Sequence, residues 1–302
     1  MSISKNESGF TKICRADERA FYSGGSTSDS YCWNRFNLCL LRCASSPDGI
    51  DVYGHRNIDT YHHLAKFMVD GKDCPWSRSG LNSIIESRNI GDWVVKVQNP
   101  LEGNSCPVLL LLHGWTGDEN VMWIFTRRLS QRYLIISPRG KYPILSGGFG
   151  WQPKIHQNWP EVNDFVPSIE GLIELLNKDN FPKGDFSNMS AIGFSQGAAV
   201  MFTLALLNPQ QIKVMAGLAG FLPEGANELI NGRPLSNRRI FMAHGRLDDR
   251  VPVEKAREAV DILSRAGAQV SYCEEEVGHK LSASCFRSME LFFDSVEETR
   301  GM

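Results

Sequence analysis

The chain is 302 residues long, with 42% hydrophobic and 22% charged residues and a formal net charge of −2. That length suits one large α/β domain with an appendage, or two modest domains. The near-neutral balance removes any electrostatic case for nucleic acid or an anionic membrane as main partner, and no apolar run reaches the roughly 20 residues that membrane insertion as a helix requires.

In chain order, residues 1–88 come first, rich in Ser, Asp, Gly, Asn and Cys and poor in periodicity. Residues 58–69 and 81–88 are each spaced for one short helix, but no core of their own is visible. This part is expected to be an irregular N-terminal extension. Lys5, Asp17, Glu18 and Arg19 stand where an export signal would need an apolar stretch. Of the eight cysteines, Cys14, Cys32, Cys39, Cys43 and Cys74 fall here, while Cys106, Cys273 and Cys285 are scattered downstream. Reduced thiols and a cytoplasmic location are therefore expected. Cys32, Cys39 and Cys43 with His62 and His63 lack the twice-paired close ligands of a zinc site, so no metal is expected.

From residue 89 to 302 the texture changes to alternating strand and helix signals, which marks this part as a domain of its own. Residues 93–97 read as a strand, and 108–112 are a continuous apolar run of the kind buried on both faces of a parallel sheet. Helical spacing covers 120–131. A strand over 133–136 stops at Ser137-Pro138-Arg139-Gly140, a Gly- and Trp-rich loop runs to Pro160, and helical spacing returns over 165–177. Strands follow at 189–194, 214–218, 240–243 and 270–273, with helices at 196–207, 253–266 and 283–296. Such alternation predicts an α/β fold, a mostly parallel central sheet flanked by helices, with its chemistry at the carboxyl ends of the strands.

Those strand ends carry the candidate residues. Gly193-Phe194-Ser195-Gln196-Gly197 closes a β-branched and apolar strand and opens a helix, the setting of a nucleophile elbow with Ser195 at its apex. A serine hydroxyl needs a base, itself oriented by an acid, and after such an elbow the order along the chain is acid, then His. Downstream of Ser195 the only histidines are His244 and His279. His244 opens the acid loop, so His279 is the base. Asp248 and Asp249 both suit the acid by spacing. The oxyanion would be held by the N–H of Gln196, at the start of its helix, and by that of Trp115 in the loop His113-Gly114-Trp115-Thr116-Gly117. His113 is expected to fix that loop rather than to react.

Together these residues resemble the phospholipase/carboxylesterase family of small α/β-hydrolases, which includes bacterial carboxylesterases and acyl-protein thioesterases. The matching motifs are Leu-Leu-His-Gly at 111–114, Gly-Phe-Ser-Gln-Gly at 193–197, Gly-Phe-Leu-Pro at 220–223, His-Gly-x-x-Asp at 244–248 with Val251-Pro252, and Gly-His at 278–279. The resemblance implies an α/β-hydrolase fold without a large cap domain, in keeping with the short stretch from Phe221 to Arg239. It selects Asp248 over Asp249 and makes Trp151, Phe221 and Leu222 the candidate walls of an open substrate groove. Trp115 and Thr116 depart from the smaller or aliphatic residues of better-known members. The implied activity is hydrolysis of small-molecule or lipid-like carboxylic esters, short to medium in acyl chain, by a Ser-His-Asp triad without metal or organic cofactor. Acyl-protein thioesterase or lysophospholipase activity is the alternative, and a non-catalytic binding protein on the same fold a second. No oligomeric state is implied.

Overall fold

The computed structural model describes residues 2–5, 11–14, 31–33, 38–40, 85–100, 105–126, 129, 133–153 and 159–298. The chain divides into two units, Met1–Asn57 and Ile58–Met302. The described part of the first consists of two antiparallel hairpins, Ser2–Lys5 with Thr11–Cys14 and Tyr31–Trp33 with Leu38–Leu40. The helix expected over 58–69, together with Cys43, Cys74, His62 and His63, lies outside the described residues.

The second unit is built on an eight-stranded sheet: β1 (Ile85–Ile90), β2 (Trp93–Gln98), β3 (Cys106–Leu112), β4 (Leu134–Pro138), β5 (Gly184–Phe194), β6 (Ile212–Leu218), β7 (Arg239–Gly245) and β8 (Gln269–Glu275). The spatial order is β1-β2-β4-β3-β5-β6-β7-β8. Strands β3 to β8 run parallel, while β2 is antiparallel to both β1 and β4. This is the mostly parallel sheet that the alternating pattern requires.

The reason β3 reads as unbroken apolar sequence is visible in its packing. Val108, Leu110 and Leu112 enter one hydrophobic cluster, and Leu109 and Leu111 enter another on the opposite face. The first cluster is closed by α1 (Val162–Leu175), α2 (Gln196–Leu207) and α3 (Val253–Arg265). The second is closed by α4 (Ala283–Glu298), through Met289, Phe292, Phe293 and Val296, and by the 3-10 helix Val121–Phe125. Helix α2 is buried over every residue except Leu207, which is why it is apolar on all sides and shows no polar stripe. Between β6 and β7 lie only residues 219–238, with the short 3-10 helix Ala226–Ile230, so no cap domain is inserted there.

Three expectations are corrected. Residues 85–88, within the helix expected over 81–88, belong to strand β1, which pairs with β2 through a tight turn at Gly91-Asp92. Gly91 has φ +53°, the left-handed backbone that such hairpin turns demand. Strand β1 lies at the sheet edge with half its side chains exposed, so polar residues alternate there and mimic a helix end. In the region expected as a helix over 120–131, the described regular structure is the 3-10 helix Val121–Phe125; residues 127, 128 and 130–132 lie outside the described residues. Finally, Cys273 and Cys285 form a disulfide, so the expectation of reduced thiols fails for this pair. The chain leaves β8, passes through the loop carrying His279 and returns as α4 against the same strand, which brings together two cysteines that look unrelated in sequence. Bridges of this kind persist in oxidising surroundings. No described helix is long and apolar enough to cross a membrane.

Candidate active site

Ser195 stands between β5 and α2 with φ +51° and ψ −118°. A non-glycine residue there is strained, and such strain is kept where a side chain must project sharply from a strand–helix turn. The turn is tight: a Cβ on Gly197 would lie 2.2 Å from the carbonyl oxygen of Leu112 and 2.5 Å from that of His113. Gly197 is thus required by the backbone of β3 and the loop that follows it, and Gly193 by the backbone of Gly197 and Ala198.

That loop forms the other side of the site. A Cβ on Gly114 would come within 3.3 Å of Ser195 Cβ, so the peptide joining Gly114 to Trp115 runs alongside Ser195. Gly117 N–H closes the turn on Gly114 O at 3.0 Å, with Trp115 and Thr116 at its corners and Thr116 at φ +64°. Gln196 is the first residue of α2, so its N–H is one of the helix donors without an intrahelical acceptor. His113 holds the loop from behind. Its Nδ1 bonds Gly114 O at 2.7 Å and its Nε2 accepts from Gly140 N–H at 2.9 Å, which fixes the Nδ1–H tautomer. Complete burial pushes its pKa down from 6.5 to about 4, so the ring is neutral and does no proton transfer at ordinary pH.

The candidate acid and base meet across the ends of β7 and β8. His279 Nδ1 bonds Asp248 Oδ2 at 2.7 Å, and the N–H groups of Arg250 and Val251 each bond Asp248 Oδ1 at 2.9 Å. Burial works to raise the Asp248 pKa, but these hydrogen bonds outweigh it and hold the carboxyl below its ordinary range. Asp249, the other acid suited by spacing, is exposed. The His279 ring packs edge-on against Phe194, centroids 5.1 Å apart, which sets His279 beside the residue that precedes Ser195.

The sequence model of the phospholipase/carboxylesterase family matches residues 95–297, a span that holds Ser195, the loop 113–117 and the Asp248–His279 pair. The chain belongs to this family. Membership makes it a hydrolase of the carboxylesterase and thioesterase type. Among solved structures, a carboxylesterase from Mesorhizobium loti superposes with a TM-score of 0.57 at 20% identity, covering 69% of this chain and 98% of the other. The Bacillus cereus carboxylesterase gives 0.57 at 23% identity, covering 70% and 95%. Acyl-protein thioesterase 2 from Zea mays gives 0.54 at 20%, covering 67% and 97%. At these identities the likeness establishes the shared α/β-hydrolase fold.

The groove walls implied by the family resemblance are placed unequally. Trp151 is wholly buried. Its indole N–H donates to His113 O at 2.7 Å, its backbone N–H donates to Gln196 Oε1 at 3.0 Å, and its carbonyl accepts from Ser168 Oγ at 2.6 Å. A side chain so enclosed lies behind the loop 113–117 and braces it. Phe221 and Leu222 are nearly buried. The Phe221 ring packs edge-on against Trp159 at 4.6 Å, and Leu222 lines a cavity of about 220 Å³ with Pro223, Gly225, Ala226, Lys255 and Glu258.

Sequence reading missed several residues that support this family site. Glu119 is buried and takes two hydrogen bonds from Arg139, at 2.6 and 2.8 Å, beside the oxyanion loop. Burial would raise its pKa, yet the Arg139 guanidinium holds it below the ordinary value. The Gln196 side chain is also engaged, donating to Gln152 Oε1 at 3.2 Å while it accepts from Trp151. Glu119, Arg139 and Gln152 belong to none of the family motifs, and the motif that holds Gln196 gives no sign of its side-chain partners. A charged residue in a glycine-rich turn looks solvated until its partner, 20 residues away in sequence, is seen.

Proposed function

We propose that the chain is a serine esterase that cleaves carboxylic esters of short- to medium-chain acids through an acyl-enzyme on Ser195. The observation that carries this reading is the hydrogen bond between Asp248 and His279, formed by two strand-end loops beside a strained serine. Ser195 Oγ attacks the ester carbonyl as His279 Nε2 takes its proton. Asp248 holds the imidazole by Nδ1 and stabilises its charged form. The N–H groups of Trp115 and Gln196 receive the oxyanion, the alcohol leaves with the proton from His279, and water deacylates the enzyme through the same base. The part from the eight-stranded sheet onward constitutes the catalytic domain, with the upstream residues as an extension.

Thioesters are the second reading. It is favoured by the likeness to the maize acyl-protein thioesterase, and the same nucleophile, base and oxyanion donors serve both leaving groups.

The test is labelling of the purified protein by a fluorophosphonate probe beside Ser195→Ala, with p-nitrophenyl esters of increasing chain length and an acyl thioester as substrates. Labelling and turnover that both vanish in the variant support the reading, and the ratio of ester to thioester turnover separates the two leaving groups. A folded wild-type protein that neither labels nor turns over would overturn it.

A further inference from the structure

His244 is the buried titratable group that the proposed reaction does not use. It lies at the end of β7, with its side chain shut off from solvent. Its Nε2 is 2.8 Å from Val251 O and 3.3 Å from Asp248 Oδ2, the same carboxylate oxygen that receives His279. Its Nδ1 is buried with no hydrogen-bond partner among the described residues. A buried N–H left without an acceptor is more costly than a bare ring nitrogen with nothing to accept, because the N–H loses a strong bond to water. The proton therefore belongs on Nε2, where two acceptors converge. Burial lowers the pKa of this ring, in keeping with a neutral imidazole.

Resting on the triad reading above, we propose that His244 is a positioning residue for the acid: its Nε2–H spans Val251 O and Asp248 Oδ2 and fixes the carboxylate rotamer that engages His279. The acid loop leaves β7 at Gly245, and Val251 lies at its far end. One side chain thus closes the loop at Val251 O while touching the carboxylate inside it. The backbone N–H groups of Arg250 and Val251 fix Oδ1, leaving Oδ2 shared between two histidines. The charged groups around His244 are Asp248 and His279 on the two loops and Glu274, its register partner on β8. Glu274 is itself tied to Arg257, Arg246 and the Tyr272 hydroxyl, so its charge is already engaged.

His244→Phe keeps an aromatic ring and removes the donor, whereas His244→Gln returns an amide N–H near the position of Nε2. With p-nitrophenyl butyrate, the Phe variant is expected to lose about tenfold or more in kcat with KM within about twofold, as misplacement of a reacting group does. Removing the competing donor also leaves more of the Oδ2 charge to the His279 imidazolium. The acid limb of the kcat/KM profile then moves to higher pH, and the Gln variant restores both quantities most of the way. Nitrogen-15 spectra of the histidines in the wild-type protein need no variant to fold: Nε2 of His244 should be the protonated nitrogen and Nδ1 the bare one. The opposite tautomer would overturn the proposal, as would equal kcat losses in both variants with unmoved acid limbs. An active, fluorophosphonate-labelled wild type with either of those results defeats this role alone. An unlabelled, inactive wild type defeats the triad reading and this role with it.

Discussion

Acidification tests the wiring behind the oxyanion loop, and its effect can be worked from His113. In the native protein this ring donates through Nδ1 and accepts through Nε2, so a second proton would face the Gly140 N–H and break that bond. Burial accordingly lowers its pKa from 6.5 to about 4. In the unfolded chain the same imidazole takes up its proton near 6.5. Between those two values the unfolded state binds a proton that the native state refuses. Stability therefore falls as pH drops from 6.5 towards 4, and the loss levels off below. At 1.36 kcal/mol per unit, a drop of this size corresponds to about 3 kcal/mol, most of it lost by about pH 4.5. Urea unfolding at about pH 7.5 and about pH 4.5, on wild type and His113→Asn, isolates the contribution. His244 is also buried with a lowered pKa and adds to the slope in both proteins, so the difference between them belongs to His113. The wild type is expected to lose about 2.5 kcal/mol more than the variant across that interval. Identical pH dependence in the two proteins would refute the reasoning.

Two further outcomes follow from contacts described above. Gly197→Ala would drive a Cβ to 2.2 Å from the backbone of Leu112, where nothing flexible can yield. A loss of about 3 kcal/mol in stability is expected, with esterase turnover falling as the oxyanion loop is pushed from α2; an unchanged melt and rate would contradict the packing. Reduction of the Cys273–Cys285 bridge, or Cys285→Ser, releases the loop that carries His279. A bridge closing a loop of this size is worth about 3 kcal/mol in the chain-entropy account, so the melting temperature and turnover should fall together, and a melt insensitive to reductant would count against the bridge.

The core of the fold was legible because its signals are local. The continuous apolar run of β3 and the all-apolar α2 announce burial on both sides, and they occupy the positions read from sequence. The edge strand β1 was not legible, since a half-exposed strand of alternating polarity resembles the end of a helix and only its register with β2 identifies it. At the site, motifs marked Ser195 and the loop before Trp115, and the structure sets Gly114 against Ser195 and Asp248 against His279. The bonds made by Trp151 were hidden because they are long-range: its partners His113 and Gln196 lie 38 and 45 residues away. The family resemblance implies a groove wall at this aromatic, and its partners show how it also braces the loop 113–117. The disulfide was hidden for the same reason, two unremarkable cysteines being joined by the return path of the chain.

The backbone of Ser195 has an evolutionary consequence. At φ +51° the conformation penalises every residue with a side chain, serine included, and glycine would relieve it. Stability and reactivity therefore pull in opposite directions at this one position. A lineage released from the need for chemistry would be expected to drift there first, towards glycine, while the surrounding packing of Gly197 against β3 stayed as it is. On the proposed mechanism, serine is kept at so disfavoured a backbone position for its hydroxyl.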